Sequence, residues 1–363
     1  MALTVGEPAP WFRGETQSNP TYAVHSVGGR FVLLGFIPDA AEREKALGLF
    51  AARRAKFDDV NLCAFLIVRD PESIDQTRDV LPGLRIMRDR SGDITRLYGL
   101  ANPDGAEPGR WLLLDPTLRV LASLPLDAGP RLMELLDGLP APDDHMGVTQ
   151  HAPVLIVPRL FEPQLCRRLI DFYEAAGGTA SGVMRDVGGR TVGVLDDFKS
   201  RRDALITDEA FQRDLRARLA RRLVPEIRKA YQFEVTRIER YLVACYDAQD
   251  GGYFRPHRDN TTKGTAHRKF ACSINLNAED YDGGDLRFPE FGSRTYRPPT
   301  GGAVVFSCSL LHEATPVTRG RRYAFLPFFF DEAGEALRQA NLKFLDAASG
   351  GTATGNEPAA VQA

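Results

Sequence analysis

The sequence predicts two domains of different class: an α/β domain first, then a mainly β domain with supporting helices. Three observations carry this. A chain of 363 residues is long for one core, since domains hold roughly 100 to 200 residues. Its first third alternates short apolar runs with helix-like stretches, the pattern of a sheet covered by helices. From Val235 to Asp331, by contrast, short strands separated by turn residues follow one another.

The elements follow in order. Gly29 to Phe36 reads as a buried strand, Ala40 to Phe57 as a charged amphipathic helix, Val60 to Val68 as a second strand and Ile74 to Val80 as a short helix. Strand Leu84 to Arg88, a turn at Asp89 to Gly92 and helix Ile94 to Tyr98 come next. The segments WLLLD and RVLASL, joined by Asp115-Pro116-Thr117, then form a strand pair. Between Asp137 and Pro153 three prolines and the pair Asp143-Asp144 can continue neither helix nor strand, which marks a domain boundary. Beyond it, Glu162 to Ala176 and Asp208 to Tyr231 have helical periodicity ahead of the strand-rich stretch. The last residues, ASGGTATGNEPAAVQA, are small and polar without periodicity. The expected organisation is a first domain at 1–136, a linker at 137–152, a second domain at 153–340 and a disordered tail at 341–363.

Composition narrows the function classes. With 43% hydrophobic and 26% charged residues the chain is neither disordered nor collagen-like. The 46 basic and 48 acidic side chains leave a formal charge of -2, so no overall basic field steers it to nucleic acid or anionic membrane. No window approaches 18 consecutive apolar residues, and the start MALTVGEPAPWF has neither a basic nor an apolar targeting region, so a cytoplasmic protein is expected. Cysteines 63, 166, 245, 272 and 308 are odd in number and contain no CxxC pair, which suggests neither a disulfide framework nor a cysteine zinc site. Cys63 and Cys272 lie in strand-like apolar runs and read as small core residues.

The segment GGYFRPHRDN, Gly251 to Asn260, carries the strongest chemical signal. His257 and Asp259 are two apart, so on a strand both project to one face and can reach one ion. A lone His-x-Asp means little. His312, in SLLHEATPV, completes two imidazoles and one carboxylate, a facial donor set that suits Fe(II) and leaves positions open for chemistry. His25, His145, His151 and His267 have no matching partners and read as solvated.

These residues resemble the Fe(II)/2-oxoglutarate-dependent dioxygenases of the prolyl 4-hydroxylase-like branch. The resemblance runs from about Pro153 to Asp331. It includes Tyr246, Gly251-Gly252-Tyr253-Phe254, His257-Arg258-Asp259, Asn275-Leu276-Asn277, the turn Tyr281-Asp282-Gly283-Gly284-Asp285-Leu286 and His312-Glu313-Ala314-Thr315-Pro316-Val317. It implies a double-stranded β-helix, or jelly roll, with His257, Asp259 and His312 holding Fe(II) and catalysis proceeding through 2-oxoglutarate. Hydroxylation of a substrate carbon would accompany release of succinate and carbon dioxide, with ascorbate as a reductant of the iron. The family places a basic residue about ten positions after the second histidine to grip the distal carboxylate. Arg322 stands there, and a planar guanidinium suits that task. Its neighbour Arg321 would face the other way on a strand, and the spacing favours Arg322.

Three further positions stay open between two readings. Tyr246 matches a family tyrosine beside 2-oxoglutarate, or is a core residue. Asn275 either hydrogen-bonds co-substrate or satisfies a backbone group, the second being preferred. Phe254 either lines a substrate pocket or packs the core. The glycine-rich stretch Ala180 to Asp203, with Arg185, Arg190, Asp196, Arg201 and Arg202, reads either as a loop closing over substrate or as a charged surface loop.

The first domain is similar to peroxiredoxins of the thioredoxin-like fold, over about residues 3 to 130. The match rests on Val5-Gly6-Glu7-Pro8-Ala9-Pro10-Trp11-Phe12, the strand Phe31 to Phe36, Asp89-Arg90-Ser91-Gly92-Asp93 with Tyr98-Gly99, and Arg110 to Pro116. Yet Ile37 to Glu44 contains no cysteine where that family has its peroxidatic thiol. A redox-inactive scaffold for packing, homodimerisation or substrate docking is expected. The leading reading is therefore a dioxygenase acting on a prolyl residue, an amino acid or peptide, or a small metabolite, without nucleic-acid or membrane partners. A non-catalytic iron- and 2-oxoglutarate-binding module and a thiol peroxidase are the competing readings.

Overall fold

The computed structural model describes residues 3–101, 109–345 and 359–361. These divide into two compact units, 1–152 with 289–293, and 153–288 with 294–363.

In the first unit a five-stranded sheet runs in the order Leu84–Arg88, Leu62–Val68, Phe31–Ile37, Arg110–Leu114, Val120–Pro125. The first three strands are mutually parallel, and the last two join antiparallel. Phe31–Ile37 and Leu62–Val68 are buried at every position, because central parallel strands have both faces covered. One face packs Val32, Leu34 and Phe65 against Phe12 and Tyr98; the other packs Leu33, Leu66 and Trp111 against Phe50 and Leu132. Helices Ala40–Ala52, Pro71–Gln76 and Gly129–Asp137 complete a thioredoxin-like βαβ–ββα arrangement.

Two helices differ in extent from expectation. The first stops at Ala52 and is followed by a separate turn of 3-10 helix, Arg54–Lys56. The second starts earlier, at Pro71: the Asp70 side chain accepts the Ser73 N–H, and proline fits the first turn, where no backbone donor is needed.

The second unit holds two large antiparallel sheets in a jelly-roll arrangement, beside two two-stranded ones. The larger one includes Leu242–Asp247, Arg321–Phe325, Phe270–Asn275 and Phe328–Phe330. The smaller runs Lys199–Ser200, Tyr253–His257, His312–Ala314, Leu286–Arg287, Thr295–Tyr296. Period-two alternation assigns the faces of the larger sheet. Val243, Cys245, Ile274 and Phe325 pack with Leu165, Leu169, Leu215, Leu219 and Ile227 of the helices. The alternate residues Leu242, Ala244 and Tyr246 instead meet Phe254, Tyr281, Ala314 and Val317.

The helical stretch expected over 208–231 is two helices, Glu209–Arg222 and Val224–Tyr231. Pro225 lacks the N–H that a continuous helix would need there, so it sits in the first turn of the second helix. Of the expected tail, Asn341 ends helix Glu332–Asn341, and residues 346–358 and 362–363 lie outside those described. Its Ala359–Ala360 is not disordered but pairs with Arg237–Glu239. Among the described residues no helix is long and apolar enough to cross a membrane.

Candidate active site

His257 closes one strand of the smaller sheet and His312 opens the next, and the two are register partners. Asp259 lies just past the first strand, where its backbone N–H donates to Cys308 O at 2.9 Å. One donor atom from each of the three side chains falls within 4.8 Å of the others. His257 Nε2 is 3.5 Å from Asp259 Oδ1, and His312 Nε2 is 3.3 Å from Oδ2.

The backbone sets the tautomers. His257 Nδ1 is 2.8 Å from Arg255 O and His312 Nδ1 is 3.0 Å from Leu310 O. A carbonyl only accepts, so each Nδ1 carries a proton and each Nε2 is the ring atom turned toward the carboxylate. Burial, then the neighbouring His257, pushes the His312 pKa from 6.5 down to about 4, so this ring is neutral at pH 7. Two imidazole nitrogens and a carboxylate converging within 4.8 Å of one another are a donor set for a divalent cation. The Phe254 ring stacks on His257 with centroids 3.5 Å apart, and Phe306 lies 4.5 Å from His312. These rings restrict water at the donors.

The larger sheet contributes Arg322, which is 2% exposed. Its Nη2 donates to Ser273 Oγ at 2.8 Å, whereas Nε and Nη1 have no hydrogen-bond acceptor among the described residues. A buried guanidinium with unfilled donors is suited to a carboxylate. Arg321, next along the strand, points away: it is half-exposed and bonds Asp247 at 2.7 Å.

Tyr246 and Arg322 are register partners, and the guanidinium carbon lies 5.1 Å from the tyrosine ring centre. Arg201, whose Nη1 donates to the Tyr246 hydroxyl at 3.4 Å, lies 5.8 Å from the same ring. Asn275 is buried, and its amide donates to Pro298 O at 2.8 Å, the backbone-satisfying alternative. The stretch from 180 to 203 contains a hairpin, Val183–Val187 with Arg190–Val194, anchored by fully buried Thr191, which accepts the Gly264 N–H at 2.9 Å.

Two histidines expected to be solvated are buried. His267 is 1% exposed because Glu239, from a strand distant in sequence, accepts it at 3.0 Å while also pairing with Arg268. His25 is buried too, stacked on Trp11. All five cysteines are buried, and burial pushes the Cys63 thiol up to about 12, which removes the thiolate a peroxidase needs.

Ser273, the Arg322 partner, was not among the sequence candidates. The available signal was its place two residues before Asn275, hence on the same strand face. Lys199 and Asp203 were also missed, since nothing local distinguishes them from a charged loop.

On this jelly roll the three side chains offer the facial donor set of a mononuclear metal site. Residues 241–330 match the family model of the 2OG-Fe(II) oxygenase superfamily. A PKHD-type hydroxylase of Synechococcus sp. (strain JA-2-3B'a(2-13)) is 34% identical over 93 residues, 24% of this chain and 41% of that protein. The chain thus spans about two fifths of the length of the curated relatives it matches. Among solved structures, a Trichoplax adhaerens prolyl hydroxylase in complex with a hypoxia inducible factor peptide fragment aligns with TM-score 0.41 at 17% identity, covering 57% of this chain and 94% of that one. A Pseudomonas putida prolyl-4-hydroxylase aligns with TM-score 0.38 at 20% identity, covering 52% and 95%.

Proposed function

We propose that the protein is an Fe(II)- and 2-oxoglutarate-dependent dioxygenase. It hydroxylates a carbon of a prolyl residue, an amino acid or peptide, or a small metabolite, and releases succinate and carbon dioxide. The observation that carries this reading is the convergence of His257 Nε2, Asp259 Oδ and His312 Nε2 in the same jelly roll as a buried arginine with unfilled donors.

In this reading His257, Asp259 and His312 hold the iron, and their Nδ1–carbonyl bonds keep both rings oriented. Arg322 and Ser273 receive the distal carboxylate of 2-oxoglutarate, and Tyr246 packs over that guanidinium. Phe254 and Phe306 keep the ligand side dry. Once bound, Fe(II) and 2-oxoglutarate supply the oxygen activation, and ascorbate serves as a reductant; the protein contributes position, charge and exclusion of water. The thioredoxin-like unit takes no thiol step and serves packing, self-association or substrate docking.

The test is succinate formation from 2-oxoglutarate by the purified, iron-loaded chain. Wild type is expected to form it, and His257→Ala and Asp259→Ala are expected to lose it. Full turnover in those variants would overturn the assignment.

A further inference from the structure

We propose that Lys199 and Arg201, held by Ser181 and Asp203, form a receiving site for an anionic group of the substrate beside the candidate metal centre. The substrate is then a small molecule bearing a carboxylate or a phosphate. This rests on the oxygenase reading above and narrows its substrate class.

Position is the first argument. The strand Lys199–Ser200 lies at the edge of the smaller sheet, paired to Phe254 and Tyr253. Lys199 Nζ lies 4.9 Å from the centre of the Phe254 ring, the ring that stacks on His257. One aromatic ring therefore separates the ammonium from a metal-donor imidazole. Arg201 meets the site through Tyr246, the tyrosine that also packs on Arg322.

Charge is the second. Lys199, Arg201 and Arg240 gather around a single acid, Asp203, with Arg201 Nη2 at 2.6 Å and Arg240 Nη2 at 3.8 Å from Oδ2. Ser181 links the group, accepting from Lys199 Nζ at 2.6 Å. Of the neighbouring acids, Asp196 pairs with Arg185, Asp197 with Arg255 and Asp247 with Arg321. Arg201 is 8% exposed, yet its Nε has no acceptor among the described residues, and neither does Arg240 Nε. Three cations share this one carboxylate, and an anion would offset the excess of positive charge. Burial, then the Arg201 charge, pulls the Lys199 ammonium well below the usual lysine value; an anion between the two relieves that repulsion.

The backbone of an internal prolyl residue brings no charge to such a site, whereas a free amino acid or other small acid does.

The test uses the full chain loaded with stoichiometric Mn(II) and 2-oxoglutarate, so that Arg322 already has its carboxylate. Inorganic phosphate is titrated against sodium chloride of equal ionic strength, and the melting temperature is followed. Wild type should show a saturable rise that chloride does not give, and Lys199→Met should raise the half-saturating concentration at least tenfold. Arg201→Gln should do the same, and Lys199→Gln replaces Lys199→Met if that variant folds poorly. A parallel acetate titration distinguishes the two sources: saturation by acetate alone assigns a carboxylate, and saturation by phosphate alone a phosphate. No saturable rise with either anion, or an unchanged response in the Lys199 variants, overturns the proposal. Because binding is read without turnover, a failure here is distinct from an absence of succinate formation, which would overturn the oxygenase reading instead.

Discussion

Replacing Arg322 with glutamine is the perturbation that separates the two adjacent arginines. In the structure Arg322 is buried and spends one donor on Ser273, leaving Nε and Nη1 unfilled. If those two donors meet the distal carboxylate, each charge-assisted hydrogen bond contributes about 1.5 to 3 kcal/mol. Losing both costs about 3 to 6 kcal/mol, which lowers 2-oxoglutarate affinity by roughly two to four orders of magnitude. Arg321→Gln removes only exposed pairs with Asp247 and Glu174, worth about 0 to 1 kcal/mol and directed away from the site. Its 2-oxoglutarate affinity should stay within about threefold of wild type. The assay is an anaerobic 2-oxoglutarate titration of each Fe(II)-loaded variant, with a thermal melt of the unliganded protein as the folding control. Arg322→Gln should melt close to wild type, because it removes an incompletely satisfied buried charge. A larger loss in Arg321→Gln, or an Arg322→Gln affinity within fivefold of wild type, would refute the reasoning.

Further outcomes follow from other parts of the molecule. Gly284 has φ +67°, and a Cβ there would sit 2.7 Å from Val317 Cγ2 and 3.2 Å from Arg322 Cδ. Gly284→Ala should therefore displace the guanidinium and raise the 2-oxoglutarate KM about tenfold, with a lowered melting temperature. Glu239 is fully buried: burial alone raises its pKa, but Arg268 and His267 outweigh that and leave it at about 2, below the ordinary 4.5. A carboxyl lowered in the folded state stabilises above its unfolded pKa, so about 3 kcal/mol should be lost as pH falls from near 4.5 to near 2. Urea unfolding at stepped pH checks this, and a flat profile across that window would contradict it. Cys63→Ser should leave peroxide consumption at the wild-type background, since the buried thiol supplies no thiolate; a measurable peroxidase rate lost in the variant would argue otherwise.

How far the sequence foretold these features depended on how local each signal is. The spacing of His257 and Asp259 was legible, although Asp259 lies just past the strand that His257 closes, and strand alternation turns Arg322 inward and Arg321 outward. The strands of the first unit were legible because Phe31–Ile37 and Leu62–Val68 are uninterrupted apolar runs. The break at Leu223 was not, since a proline in the first turn of a new helix leaves the apolar period nearly intact. His267 looked like a surface residue because its burial depends on Glu239, 28 residues away in sequence and brought close only by sheet pairing. Lys199, Arg201 and Asp203 lie in a charged, glycine-rich stretch whose meaning comes from pairing with strands at 242–247 and 253–257. Long-range register of that kind leaves no periodic trace in the local sequence.

The central claim is that one site holds both iron and a 2-oxo acid. The most direct measurement is anaerobic titration of the purified chain with Fe(II) and then 2-oxoglutarate, followed by visible absorbance. A weak charge-transfer band that saturates at one equivalent per chain, and is absent in His257→Ala and Asp259→Ala, is the predicted result. Folded, iron-loaded wild-type protein that shows no such band would contradict the account.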